Sequence, residues 1–228
     1  DVAESEVVRQ AEATYGRISP RGDRPERRRP REPEPRAARH IVVRDAKVEQ
    51  PVLQRLYLAP SSRTATGREC HALDVLAEAI GGGPTSHLYR KLVLDEGSAV
   101  NVGAWYMGSA IDDTRFSVYA VPAEGVDLPA MEAKLDRVIG GLKDELDDLA
   151  IARAKTRLVA ETVYSLDSQS SLARIYGSAL AVGETLDDVR AWPGQIQAVT
   201  RDEIVAALEA FLVPRRSVTG YLEREPRP

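Results

Sequence analysis

The order of elements along the chain predicts an α+β domain, an antiparallel or mixed β-sheet with helices packed on one face. Three observations carry this. Two strand-like runs, two helices, two further strands, a run of helices and one last strand follow in sequence. The strands are joined mostly by hairpin or helix-pair connections, which suit an antiparallel or mixed sheet. The helical stretches place apolar residues at i, i+3, i+4 and i+7, so each has one face to bury.

Residues 2–16 read as one short amphipathic helix, with Val7, Val8, Ala11 and Tyr15 on one side and Gly16 as its stop. A helix of this length is marginal alone, so it is expected to dock on something. From Ile18 to Arg39 the composition shifts to five prolines, eight arginines and four acids, a local charge of 8 − 4 = +4. Such a stretch cannot bury enough apolar surface to offset its ordering entropy, and reads as an extended linker. Interleaved acids and the lack of aromatics argue against a nucleic-acid arm. His40–Asp45 and Val52–Ala59 then read as strands.

The next helix carries Leu73, Leu76, Ala77 and Ile80 and stops at Gly81-Gly82-Gly83. Pro84, Thr85 and Ser86 start a second one bearing Leu88, Leu92 and Leu94. Strands Ala99–Met107 and Thr114–Val121 flank a turn containing Asp112-Asp113, where aspartate suits turn chemistry. Trp105 and Tyr106 are expected on opposite faces of their strand, Arg115 and Tyr119 on the same face of theirs. Asp127 caps a helix running to about Leu146, buried through Met131, Leu135, Val138, Ile139 and Leu142. Helices follow at about 147–166, with Ala150, Ala154, Leu158 and Val163 inward, and at 170–182, ending at Gly183. Trp192-Pro193 predicts a short or broken helix over 186–196. Thr200 and Glu203 form a capping box for a helix over 202–212, and 216–222 closes the domain as a strand. The chain thus divides into a terminal helix (1–17), a Pro/Arg-rich linker (18–39) and an α+β domain (40–224).

The composition is that of an acidic chain able to bury a core: 228 residues, 43% hydrophobic, net charge −4. No apolar run is long enough to span a membrane. Cys70 is the single cysteine, so an internal disulfide is excluded. The chain opens on Asp1 rather than Met, as expected of a piece of a longer polypeptide.

Several motifs together resemble the second half of a subunit in the pitrilysin (insulinase) family of zinc peptidases, which includes the mitochondrial processing peptidases. They are Ile80-Gly-Gly-Gly-Pro-Thr-Ser86, Leu88-Tyr-Arg-Lys-Leu92, Glu96-Gly97, Asp113-Thr-Arg-Phe116, Ala154-Lys155, Gly183 and Val199-Thr200. The resemblance covers nearly the whole chain. It implies the C-terminal, non-catalytic domain of such a peptidase, preceded by the last helix of its catalytic domain. It further implies zinc in the parent protein, a preceding catalytic domain and a homologous subunit or homodimer as partners, and a peptide substrate met through the parent. A bacterial periplasmic or cell-envelope setting is the accompanying expectation. The alternative is a scaffold or assembly subunit of the same family without peptidase activity, as in the core subunits of a respiratory complex.

Zinc proteolysis needs two histidines on one helical face, a glutamate acting on the metal-bound water and a further ligand. The family carries the first three as His-x-x-Glu-His. Here the histidines are His40, His71 and His87, in different elements, and none pairs with another at i+4. The expectation is no catalytic residue, no metal ligand and no cofactor in this chain. Cys70-His71 with Asp74 and Glu78 is the nearest substitute, but adjacent helical residues point about 100° apart and pair poorly. Gly81–Gly83 could offer N–H groups to an anion, yet no Lys-Ser/Thr follows, so a helix-to-helix turn is the simpler reading. The acidic cluster Asp144-Glu145-Asp147-Asp148 lacks the glycine-centred loop of a calcium site. Family members that complete an active site from the opposite half-molecule carry an arginine and, seven residues later, a tyrosine that hold the substrate backbone. Val93 and Val100 stand at those positions here, and neither side chain can donate a hydrogen bond.

Overall fold

A computed structural model describes residues 2–23 and 33–225, so the middle of the expected linker (24–32) lies outside the described residues. The chain forms two compact units, Asp1–Pro33 and Glu34–Pro228. In the first, α1 (Glu4–Thr14) passes into a 3-10 turn at Tyr15–Arg17. None of its residues is buried, and Val7, Val8 and Tyr15 face solvent.

The second unit is built on five strands: β1 (Arg39–Asp45), β2 (Val52–Ala59), β3 (Ala99–Tyr106), β4 (Thr114–Pro122) and β5 (Ser217–Arg224). Their order is β1-β5-β2-β4-β3. β5 runs parallel to β1, and every other neighbouring pair is antiparallel. The sheet is therefore mixed, and the last strand in sequence inserts between the first two.

Period-two alternation decides what each strand buries. Leu53, Arg55, Tyr57 and Ala59 of β2 and Phe116, Val118 and Ala120 of β4 turn toward the helices and are buried. Against them pack Leu73, Leu76 and Ile80 of α2 (Glu69–Gly81) and Met131, Leu135 and Leu142 of α3 (Leu128–Glu145). Burying each such side chain contributes about 1.5–3 kcal/mol. The expected inward residues of both helices are all in this core.

α4 (Asp148–Ser165), α5 (Gln169–Val182), α6 (Leu186–Ala198) and α7 (Arg201–Phe211) complete the unit. Their ends are fixed locally. Asp127 accepts from Ala130 N at 2.7 Å and Asp147 from Ala150 N at 2.6 Å. Thr185 with Asp188 and Thr200 with Glu203 form capping boxes, and Gly183 closes α5 at φ 88°.

Three expectations are corrected. The helix begun at Ser86 widens to a π-helix over Tyr89–Asp95; Leu88 and Leu92 are buried, but Leu94, two positions on, points outward and is 64% exposed. Val163 lies on the outer side of α4 at 57% exposure, while Ala154 faces the core. Pro193 does not break α6, although an interior proline costs about 3 kcal/mol. Trp192 Nε1 donates to Asp74 Oδ2 at 3.2 Å and Ile196 is fully buried, so packing on either side of the proline holds the helix straight through it.

Candidate functional site

The sheet face turned away from the helices carries several exposed apolar side chains. Ile41 and Val43 of β1, Leu222 of β5 and Trp105 of β3 lie on it and are exposed. Trp105 leans on Tyr119 with ring centroids 5.8 Å apart. Tyr119 in turn lies across Gly103, where an added Cβ would come within 2.6 Å of its ring. Trp105 and Tyr106 do part to opposite faces: Tyr106 turns inward and its hydroxyl donates to the Pro60 carbonyl. β1, at the sheet edge, is exposed along all its seven residues. Exposed apolar surface of this kind marks a place where another surface packs.

The positions singled out by the resemblance lie apart from any polar cluster. Val93 packs against the core, and Val100 points outward from β3. The three histidines remain separate. His40 Nε2 stands 3.6 Å from Glu132 Oε1, and His87 Nε2 3.3 Å from Glu145 Oε2. His71 is on α2 with its buried Nδ1 unpartnered. Among the described residues, no group of three His, Cys, Asp or Glu side chains could hold a metal ion. The acidic cluster is a helix junction: Glu145 pairs with Lys91 at 2.8 Å while Asp147 caps α4.

Cys70, His71 and Asp74 do reach one cavity of about 480 Å³, shared with Arg63, Glu184 and Trp192. Its electrostatics oppose nucleophilic chemistry. Burial, then the charge of Asp74, pushes the Cys70 thiol up to about 12, so it stays protonated. Burial and Arg68 hold His71 below the ordinary imidazole value, so it is neutral. Burial pushes Asp74 up to about 7 against the Trp192 hydrogen bond, from an ordinary value of 3.8. An elevated carboxyl stabilises the fold while protonated, and that contribution is lost as pH rises from 3.8 to about 7. Asp74→Asn should therefore stabilise the domain by roughly a few kcal/mol at pH 8. The gain should shrink toward pH 4. Thermal melts at the two pH values check this; a gain equal at both would contradict it.

One cluster escaped the sequence reading. Arg55, only 3% exposed, reaches from β2 to α3, where its Nη1 and Nη2 donate to Asp136 and Glu132. Its Nε donates to Thr219 Oγ1 at 2.9 Å, and Thr219 donates to Glu132 at 3.1 Å. Tyr221 also donates to Glu132. The guanidinium's burial disfavours its charge, but Tyr57 and Asp136 outweigh that and raise its pKa. Glu132 is likewise pushed up by burial and pulled further down by Tyr221 and Arg55, ending below the usual carboxylate range. This is a clasp between sheet and helix, with every partner supplied by the fold. The signal for it was Arg55's place in the inward register, two residues from both Leu53 and Tyr57.

The fold is a packed α+β layer whose outer sheet face carries exposed apolar side chains. Comparison with known proteins narrows this. The profile of the Peptidase M16 inactive domain matches residues 1–158, and the chain belongs to that family. It is 29% identical over 239 aligned residues to an uncharacterised zinc protease of Streptomyces coelicolor, covering 98% of this chain and 49% of that protein. A solved protease structure from Helicobacter pylori superposes with a TM-score of 0.85 at 20% identity, over 98% of this chain and 53% of that one. The inactive peptidase domain solved from Bordetella parapertussis gives 0.70 at 18% identity, over 82% of this chain and 96% of that one. Identities this low show the shared fold alone. The chain spans about half the length of the Streptomyces and Helicobacter proteins.

Proposed function

We propose that this chain is the C-terminal, non-catalytic domain of a zinc-dependent insulinase-type endopeptidase, in which it walls the peptide chamber and carries part of the subunit interface. The outer sheet face is the observation that carries the reading. Ile41, Val43, Trp105 and Leu222 present apolar surface that only a companion domain would bury usefully. The preceding domain of the parent supplies the zinc and the groups that polarise the scissile carbonyl. The residues here do not fit a zinc site, because the histidines occupy separate elements and the one thiol is held protonated. Val93 and Val100 offer a peptide no donor, so this domain confines substrate by shape and does not clamp its backbone.

Assembly tests the reading. The chain is mixed with the separately produced preceding half of its parent, and association is followed by analytical ultracentrifugation and peptide hydrolysis. Trp105→Glu with Leu222→Glu should weaken association and hydrolysis together while leaving the melting temperature of the chain within about 2 °C. Undiminished association in that variant would overturn the assignment of this face.

A further inference from the structure

β1 is the least sheltered strand of the sheet. It pairs with β5 alone, in parallel, and among the described residues no strand lies along its other side. All seven of its residues are exposed, so neither face of it is covered. Ile41, Val42 and Val43 stand in one run at 55%, 47% and 50% exposure. Parallel pairs normally sit where both faces are covered. Edge strands are normally blunted by a proline, a bulge or a central charge, because their free N–H and C=O groups invite another strand. The middle of β1 has none of these.

The residues of the strand define what fits its free edge. Arg39, Ile41, Val43 and Asp45 share one face, and His40, Val42 and Arg44 the other. Taken in the opposite chain direction, the first face still runs charge, apolar, apolar, charge, with the signs exchanged. A second β1 laid antiparallel about a two-fold axis at Val42 therefore sets Arg39 opposite Asp45 of the second copy, Ile41 opposite Val43, and Val42 opposite Val42. Opposite charges and β-branched side chains facing one another across two strands stabilise the pairing. On the other face His40 meets Arg44, and each already faces a carboxylate of its own chain: His40 Nε2 is 3.6 Å from Glu132, and Arg44 Nε is 2.7 Å from Glu223. A slip of one residue either way would set Ile41 or Arg39 against Arg44, so the register is specified.

We propose that two copies of this chain join through β1, antiparallel and centred on Val42, so that their five-stranded sheets become continuous. The two-fold axis uses both β1 edges and closes the assembly at a dimer. The inference goes beyond the peptidase reading and does not depend on it, since it concerns copies of this chain and not the preceding half of the parent.

Sedimentation velocity of the whole chain over a range of concentrations tests it. Monomer and dimer should exchange with concentration. Arg39→Asp and Asp45→Arg, each alone, set like charges opposite one another twice per dimer, and each should weaken dimerisation at least about tenfold. The two together exchange the signs and should restore dimerisation to within about threefold, which a merely damaged strand would not do. Both positions are exposed, so these variants should melt within about 3 °C of the unaltered chain. Trp105→Glu, on β3 at the opposite edge of the sheet, should leave the dimer in place. A chain that stays monomeric throughout, single variants that dimerise as well as the unaltered chain, no rescue by the double exchange, or a dimer lost through Trp105→Glu would each overturn the proposal.

Discussion

Arg55→Ala should lower the stability of the domain by about 3–5 kcal/mol, because it strips one partner from a buried ion pair and leaves the other uncompensated. For a unit of this size that is a fall of about 10 °C in melting temperature. Glu132 would keep the Tyr221 and Thr219 hydroxyls but lose the guanidinium that holds its charge in place. Arg55→Met with Glu132→Leu should cost less than Arg55→Ala alone, since an apolar pair needs no compensation. The pH dependence follows from Glu132. Its folded pKa lies below the ordinary 4.5, so its stabilisation is present above that value and is lost as pH falls through the folded pKa. Arg55→Ala should lose that part of the acid sensitivity. Chemical denaturation of the three proteins at pH 7 and pH 4 measures both effects. A cost below about 1 kcal/mol would make the clasp no better than a surface ion pair.

The three glycines that end α2 should respond in a steep order to alanine. A Cβ on Gly81 would sit 1.9 Å from the backbone nitrogen of Ala104 and 2.6 Å from its Cα. Helix and strand must separate to admit it, at a cost of about 3 kcal/mol or more. Gly83 adopts φ +112° with nothing nearer than 3.7 Å, so Gly83→Ala costs about 1–2 kcal/mol through backbone strain alone. At Gly82 the nearest atoms to the new Cβ are those of the Glu78 carboxylate, which can swing away at the expense of its Arg157 pair, about 1 kcal/mol or less. Melting temperatures should fall in the order Gly81, Gly83, Gly82. Equal responses would mean the run acts as a flexible hinge.

That run shows how far the sequence could be read. Three glycines after an apolar-periodic stretch announce a helix stop. They do not announce that the first sits against Ala104, because that approach is set by the crossing of α2 over β3. The inward faces of α2 and α3 were legible for the converse reason: their period alone specifies them, and Leu73, Leu76, Met131 and Leu135 are all buried. The insertion of β5 between β1 and β2 has no local signature. Arg55 was passed over because a strand arginine is usually solvated, although α3 places Glu132 and Asp136 one turn apart to receive it. Pro193 misled for a related reason, since propensity loses to the anchoring of Trp192 and Ile196. Val93 and Val100 were found by resemblance alone; no pattern of charge or period distinguishes them.

The proposed role divides labour within a longer polypeptide: packing surface here, chemistry elsewhere. The most direct test loads the purified chain with excess zinc, removes unbound metal by gel filtration, and measures bound zinc together with hydrolysis of a mixed peptide library. Zinc well below one per chain and no cleavage above the buffer rate are predicted. One tightly held zinc per chain, with cleavage that a chelator abolishes, would contradict it.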